Sequence, residues 1–286
     1  MIVTRFAPSP TGLLHLGHAF AAITAHDAAS ADGRFLVRIE DIDASRCKPE
    51  FEAAIFEDLD WLGLPWERPA LRQSERFEAY RAALERLTAQ SLTYPCFCTR
   101  SNIAAEIARS AEAPHGPEGP LYPGTCSGLS EHQRRARIDS GAPYALRLDV
   151  AKAAAQAGAL SFEEQGSGPN GARGAIAADP LLFGDIVIAR KDVPASYHLA
   201  VVVEDAFQGV TLVTRGNDLF AATHVQRLLQ ALLKLPAPAY AHHRLILDAQ
   251  GRKFSKRDRA VTLKSLRESG VTPAQIREQL GLPLAI

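Results

Sequence analysis

Arg5-Phe6-Ala7-Pro8-Ser9-Pro10-Thr11-Gly12-Leu13-Leu14-His15-Leu16-Gly17-His18 reads as a strand that breaks into a loop and restarts as a helix. Ile2 to Phe6 is short, apolar and β-branched and runs into two prolines, which suits a buried strand. His18 to Ala29 is alanine-rich and glycine-free, which suits a helix. Between them Gly12 and Gly17 permit close backbone approach, and the first amides of a helix have no partners of their own, so the turn can receive an anion. His15 and His18 add side-chain donors at that mouth. A lone H-x-x-H after a proline-rich turn is usually incidental, and its neighbours decide its meaning.

Far along the chain, Gly251-Arg252-Lys253-Phe254-Ser255-Lys256-Arg257 sets four cations around one serine, by itself only a solvated basic turn. Together, P-S-P-T-G-x-L-H-L-G-H and K-F-S-K-R resemble the paired ATP-binding motifs, HIGH and KMSKS, of class I aminoacyl-tRNA synthetases. Arg5 to Gly12 and R-I-E-D-I-D, Arg38 to Asp43, narrow the resemblance to the glutamyl branch, over essentially the whole chain. The chain ends at Ile286, a short tail beyond Arg257 with no room for an anticodon-binding domain. With C-x-C and Y-x-x-x-C in its middle, it resembles the glutamyl-queuosine branch, paralogues of the catalytic half alone. Phe254 stands where that motif usually has Met or Leu, and Arg257 where Ser is frequent.

At 286 residues and 47% hydrophobic content the chain can bury a substantial core, so a disordered polypeptide is excluded. No charged-then-apolar leader and no membrane-length apolar run is present, which makes the cytoplasm the expected location. Four cysteines are few for a disulfide framework and fit reduced thiols or a metal site. A formal net charge of zero predicts modest affinity for RNA lacking a specific feature.

Arg34 to Ile39 reads as a second buried strand, running into Glu40-Asp41-Ile42-Asp43, where open α/β sheets bind ligands. Phe51 to Leu62 and Glu75 to Leu87 have helical apolar spacing and cover the sheet, with Trp61 and Trp66 as core residues. These elements make half of a doubly wound, Rossmann-type α/β domain over residues 1–95. Residues 96–190 read as an insertion: a helix from Ser101 to Ala111, a Pro/Gly segment, a charged helical stretch with a strand from Tyr144 to Val150, and a loop from Gly158 to Gly174 too polar for core. Cys96, Cys98 and Cys126 offer three soft metal ligands there, and bare chemistry points to His115 or His132 as the fourth. The resemblance implies instead one structural Zn²⁺ on Cys96, Cys98, Tyr122 and Cys126, in an insertion that holds an acceptor end.

Residues 191–286 return to the α/β domain through strands at Leu199 to Glu204 and Val210 to Thr214, then a helix through His224, Leu228 and Leu232. The resemblance implies that Arg5, Phe6, Ala7, Pro8, Ser9, Glu40, Tyr197 and Arg215 bind glutamate. It implies that His15, Gly17, His18 and Lys256 bind ATP, with His15, His18, Lys253 and Lys256 catalytic. Arg suits a carboxylate clamp because its planar fork can hold both oxygens, and a buried ammonium requires an acid such as Glu40. Such a site joins a carboxylate to the α-phosphate of ATP with Mg²⁺ and no general base. The short tail beyond Arg257 leads to the expectation of a monomer that activates L-glutamate without tRNA, and the resemblance implies transfer to queuosine of tRNA(Asp). The alternatives are a truncated glutamyl-tRNA synthetase and a non-catalytic zinc-containing RNA-binding module.

Overall fold

The computed structural model describes residues 1–109, 115–190, 193–247 and 261–284, with backbone alone at 107–109 and 115. β1 (Val3–Phe6) is buried along its whole length and leads through the proline loop into α1 (Leu16–Ala29). It pairs in parallel with β2 (Arg34–Ile39), which follows α1. α2 (Pro49–Trp61), with Pro49 in its first turn beside Glu50 and Glu52, then crosses to β3 (Glu67–Arg72), parallel to β2. Proline at a helix start sacrifices no bond, and acids there complement the helix dipole.

The chain continues through α3 (Phe77–Ala89), β4 (Thr93–Cys96), α4 (Arg100–Arg109), β5 (His115–Gly116), β6 (Gly119–Pro120), α5 (Glu131–Asp139), β7 (Ala145–Leu148) and α6 (Val150–Ala157). β8 (Ser161–Glu164) and β9 (Gly174–Ala177) form an antiparallel hairpin, followed by β10 (Val187–Ala189) and α7 (Tyr197–Phe207). β11 (Leu212–Gly216), α8 (Ala222–Leu232) and β12 (Ala239–His243) restore the parallel pattern, and α9 (Leu263–Glu268) and α10 (Pro273–Gln279) follow. β4, β7 and β10 make a separate antiparallel sheet.

The two parallel halves meet at β1 and β11. Thr211 donates its N–H to the Val3 carbonyl at 3.0 Å, and Val3 donates to the Thr211 hydroxyl at 2.9 Å. The strands therefore run β3-β2-β1-β11-β12, with the β8–β9 hairpin on the outer side of β12. The chain winds outward from β1 one way and from β11 the other, so the carboxyl ends of these two strands flank the crevice where open α/β sheets take ligands. One apolar cluster packs α3, α6, α7 and α8 through Tyr80, Ala153, Leu199 and Leu228. The other packs α1, α2, α9 and α10 through Ile23, Ile55, Leu263 and Ile276. Two long-range stitches close the second cluster. Leu263 donates its N–H to the Leu14 carbonyl at 2.8 Å with Thr262 bridged to His15, and Arg277 pairs with Asp27 at 2.8 Å.

Two expectations are corrected. Leu199 to Glu204 is not a strand but the body of α7, opened by Ser196, whose hydroxyl accepts the Leu199 N–H. The helix is buried at His198 through Val202 and at Glu204 and Asp205, so its sequence shows no amphipathic period and its valines imitate a strand. The stretch from Gly158 to Gly174 is not all loop. Phe162 and Glu164 of β8 point inward while Ser161 and Glu163 point out. Trp61 and Trp66 are half-buried against the second cluster, with Trp66 stacked on Phe56. Among the described residues no helix is long and apolar enough to cross a membrane.

Candidate active site and cysteine cluster

His15 is the N-cap of α1. Its Nδ1 accepts the Gly17 N–H at 3.1 Å, and His18 Nδ1 accepts the His15 N–H at 3.2 Å. A ring nitrogen that accepts an N–H carries no proton, so each neutral ring holds its proton on Nε2. The rings lie 3.8 Å apart, and a side chain at Gly17 would come within 3.0 Å of the His15 ring, so glycine is what lets that ring fold back on the cap. The anion reading of this turn is thereby narrowed. The Gly17 amide is already taken by the His15 ring.

Below the histidines lies a cavity of about 660 Å³ at the carboxyl ends of β1 and β11. Arg5 to Ser9, His15, Gly17 and His18 line it from the first strand, loop and helix. Glu40, Tyr197 and Arg215 line it from β2, α7 and β11. Every candidate glutamate residue and every described candidate ATP residue thus borders one space. Lys253 and Lys256, with Phe254 and Arg257, lie outside the described residues. The chain departs for that segment from Leu245 and Ile246, which line the cavity, and returns at Thr262, which bridges His15.

Arg5 is 5% exposed. Its Nε meets Asp205 Oδ1 at 3.1 Å and its Nη1 donates to the Thr214 carbonyl at 3.1 Å. The same Asp205 oxygen accepts Arg38 Nη1 at 2.7 Å, and Arg38 Nη2 reaches Glu40 at 3.3 Å. Burial works against ionised Asp205, yet Arg38 and Arg5 outweigh it and hold its carboxyl below the usual range. Burial wins at Glu40, whose carboxyl is pushed up despite the two arginines. Burial likewise raises the Tyr197 hydroxyl, within the field of Arg215 and Glu40.

Arg215 is anchored differently. Nη1 donates to Gln226 Oε1 at 2.8 Å, Nη2 to Thr223 Oγ1 at 2.7 Å, and Nε to His242 Nε2 at 3.1 Å. His242 Nδ1 in turn meets Glu164 Oε2 at 2.5 Å, both side chains being fully buried. Burial, reinforced by Arg215, pushes the His242 imidazolium down to about 3, so the ring is neutral. Arg38, Asp205, Glu164 and His242 were not anticipated from sequence. For the first two a signal existed, a charge inside an apolar run: Arg38 in F-L-V-R-I and Asp205 after V-V-V-E.

Away from the cavity, Cys96, Cys98 and Cys126 come together with their sulfurs within 4.8 Å of one another. Tyr122 Oη is 3.4 Å from Cys96 Sγ and 3.7 Å from Cys98 Sγ, and Cys98 and Cys126 sulfurs are 3.5 Å apart. A tetrahedral zinc would set its sulfurs about 3.8 Å apart and sulfur from oxygen about 3.5 Å, so these four atoms suit its donor set. Tyr122 Oη also accepts the Cys126 N–H at 2.8 Å, and Arg147 lies 3.7 Å over its ring. His132 is exposed on α5 and outside the cluster, while the His115 side chain is not among those described.

An open parallel sheet with a crevice at its switch point, histidines at the first helix cap and buried arginines below defines a nucleotide-binding α/β enzyme of the class I tRNA synthetase type. Residues 1–283 match the profile of the class I tRNA synthetase (E and Q) catalytic domain, and the chain belongs to that family of ligases. It is 50% identical to the Glutamyl-Q tRNA(Asp) synthetase of Rhodobacter capsulatus, over 98% of this chain and 100% of that one. It is 38% identical to the Glutamate--tRNA ligase of Aquifex aeolicus, over 98% of this chain and 57% of the relative. The crystal structure of a glutamate tRNA ligase from Elizabethkingia meningosepticum in complex with its amino acid superposes with a TM-score of 0.71 at 27% identity. That match covers 90% of this chain and 52% of the other, so the chain spans about half the length of the solved ligase.

Proposed function

We propose that this protein activates L-glutamate with ATP to glutamyl-adenylate without tRNA and transfers the glutamyl group to queuosine in tRNA(Asp), as a cytoplasmic monomer. The observation that carries the reading is one cavity bordered by Arg5, Arg215 and Glu40, two cations and an acid for a substrate with two carboxylates and an amine. In the first step a glutamate carboxylate oxygen attacks the α-phosphorus and pyrophosphate leaves. In the second a nucleoside hydroxyl attacks the adenylate carbonyl and AMP leaves. Neither step needs a general base with a perturbed pKa; both need positioning and charge stabilisation. The His15 and His18 Nε2–H groups suit the phosphates, and Lys253 and Lys256 the departing charge. Mg²⁺ would neutralise the remaining phosphate charge.

Activation without tRNA is supported by the anchoring of Arg5 and Arg215, since protein groups alone hold both guanidiniums. That preorganisation also argues against a non-catalytic RNA-binding module. The acceptor is supported by the relative named Glutamyl-Q tRNA(Asp) synthetase, matched along its entire length, and by the absence of net charge. Labelled glutamate and ATP should therefore label the anticodon loop of queuosine-containing tRNA(Asp) and leave queuosine-free tRNA unlabelled. Label on the 3′-terminal adenosine, in equal yield from both, would favour a glutamate--tRNA ligase like that of Aquifex aeolicus instead.

Residues 96–190 are the inserted unit on this reading, and Cys96, Cys98, Tyr122 and Cys126 hold one structural Zn²⁺. Metal analysis should return one zinc per chain. Retention of zinc in Tyr122→Phe together with its loss in His115→Ala would transfer the fourth ligand to His115.

A further inference from the structure

Glu164 lies on the β8–β9 hairpin, in sequence far from every residue of the cavity, yet it is fully buried and all its described partners are donors. Oε1 accepts the N–H of Gly166 and the N–H of His242, each at 2.9 Å, and Oε2 meets His242 Nδ1 at 2.5 Å. Only a group that accepts on both arms fits three donors so arranged. A carboxylate does, whereas an amide must turn its NH₂ toward one of them. The geometry is rigid here: a Cβ on Gly166 would lie 2.4 Å from the His242 carbonyl oxygen, so hairpin and β12 run in backbone contact.

Arg215 fixes the other side of the His242 ring. A guanidinium has only donors, so His242 Nε2 must present its lone pair to Arg215 Nε and the ring proton must sit on Nδ1, facing Glu164. Among the described residues three of the five guanidinium N–H groups are thereby occupied, and one remains on each terminal nitrogen, the pair a carboxylate engages with both oxygens.

We infer that Glu164 and His242 are positioning residues for glutamate: Glu164 locks the His242 tautomer, and that tautomer aims the Arg215 fork into the cavity. The inference rests on reading Arg215 as a glutamate carboxylate clamp. It also makes the inserted hairpin a part of the amino acid site without touching substrate. In Glu164→Gln the amide NH₂ either opposes the two backbone N–H groups or drives the ring proton to Nε2, where it meets the Arg215 N–H. In both cases the fork tilts.

The test is glutamate-dependent ATP–pyrophosphate exchange by the full chain, with ¹⁵N-histidine spectra at neutral pH. Glu164→Gln should raise the KM for glutamate at least tenfold while kcat stays within about threefold and the KM for ATP is unchanged. Combined with Arg215→Lys it should add less than twofold, because both changes act on one fork. The His242 ring, assigned by its loss in His242→Gln, should carry its proton on Nδ1 in the unaltered protein and shift its ring signals in Glu164→Gln, moving to the Nε2-protonated form where the amide NH₂ faces the ring. An Nε2-protonated ring in the unaltered protein would overturn the inference without any variant. So would a glutamate KM within twofold of normal in folded Glu164→Gln, or full additivity with Arg215→Lys. Should Arg215→Lys itself leave the KM unchanged, the clamp reading fails. A raised KM there with a normal one in Glu164→Gln removes the positioning inference alone.

Discussion

Arg5 and Arg215 border the same cavity from adjacent strands, yet Arg5 leans on a carboxylate while Arg215 leans on an imidazole, an amide and a hydroxyl, all neutral. Around Arg5 the charges cancel among the described residues, with Arg5 and Arg38 set against Asp205 and Glu40. Such a wall suits the end of an amino acid that itself carries both signs. Around Arg215 every direct partner among the described residues is neutral and the Glu164 carboxylate is held off behind the His242 ring, which suits a substrate carboxylate. On the proposed function the first wall takes the α-ammonium and α-carboxylate and the second the side chain. The two anchors also divide the cost of burial. The ionic wall depends on every member being present, whereas the neutral wall can lose one hydrogen bond and keep its charge in place.

The largest expected effect comes from breaking the ionic wall. Asp205→Asn leaves two buried guanidiniums without their shared anion and should destabilise the fold by about 3–5 kcal/mol in denaturant titration. A loss near 1 kcal/mol would mean that the walls are not different in kind. Arg215→Lys keeps the charge but not the fork, so it should cost less stability, about 1–2 kcal/mol, and raise the exchange KM for glutamate about a hundredfold. Binding of glutamine should change much less, and an equal change for both ligands would place Arg215 at the wrong end of the substrate.

Acid should separate the walls again. His242 ionises in the unfolded chain near pH 6.5 but in the folded protein only near 3, so below pH 6.5 the unfolded state binds a proton that the folded state refuses. Stability from this group is full above pH 6.5 and should fall by about 2 kcal/mol between pH 6.5 and 5. His242→Gln should flatten that limb in chemical denaturation at a series of pH values; an unaltered slope would show that His242 is not buried neutral. Asp205, held below the usual carboxylate range, supports the fold until the pH falls below about 4, so the ionic wall outlasts the neutral one in acid. The smallest effect belongs to Gln226→Leu, which removes one neutral bond to Arg215 and should cost about 1 kcal/mol in glutamate affinity by calorimetry.

What the sequence made legible follows the same division. The strand–loop–helix unit at Arg5 to His18 was readable because each step carries a local signal: β-branched run, prolines, glycines, alanine-rich helix. α7 was not, because burial on every side erases the period that distinguishes helix from strand. Arg38 and Asp205 were visible as charges in apolar runs, and pairing them needed only the rule that buried charges find partners. Glu164 carried no such mark. It sits among glycines and polar residues, and its burial arises from β12, some eighty positions away.

The bridge from Thr262 to His15 and the bond from Leu263 to Leu14 have a temporal meaning. They join the opening loop to chain that leaves the ribosome roughly 250 residues later. Contacts of such separation form late and slow a fold that depends on them. The histidine cap can form early from local chain, but its surroundings close only when the last helices dock. On the proposed function, a nascent chain would hold the histidine cap before the helices that brace it, and competence to spend ATP would arrive late in folding.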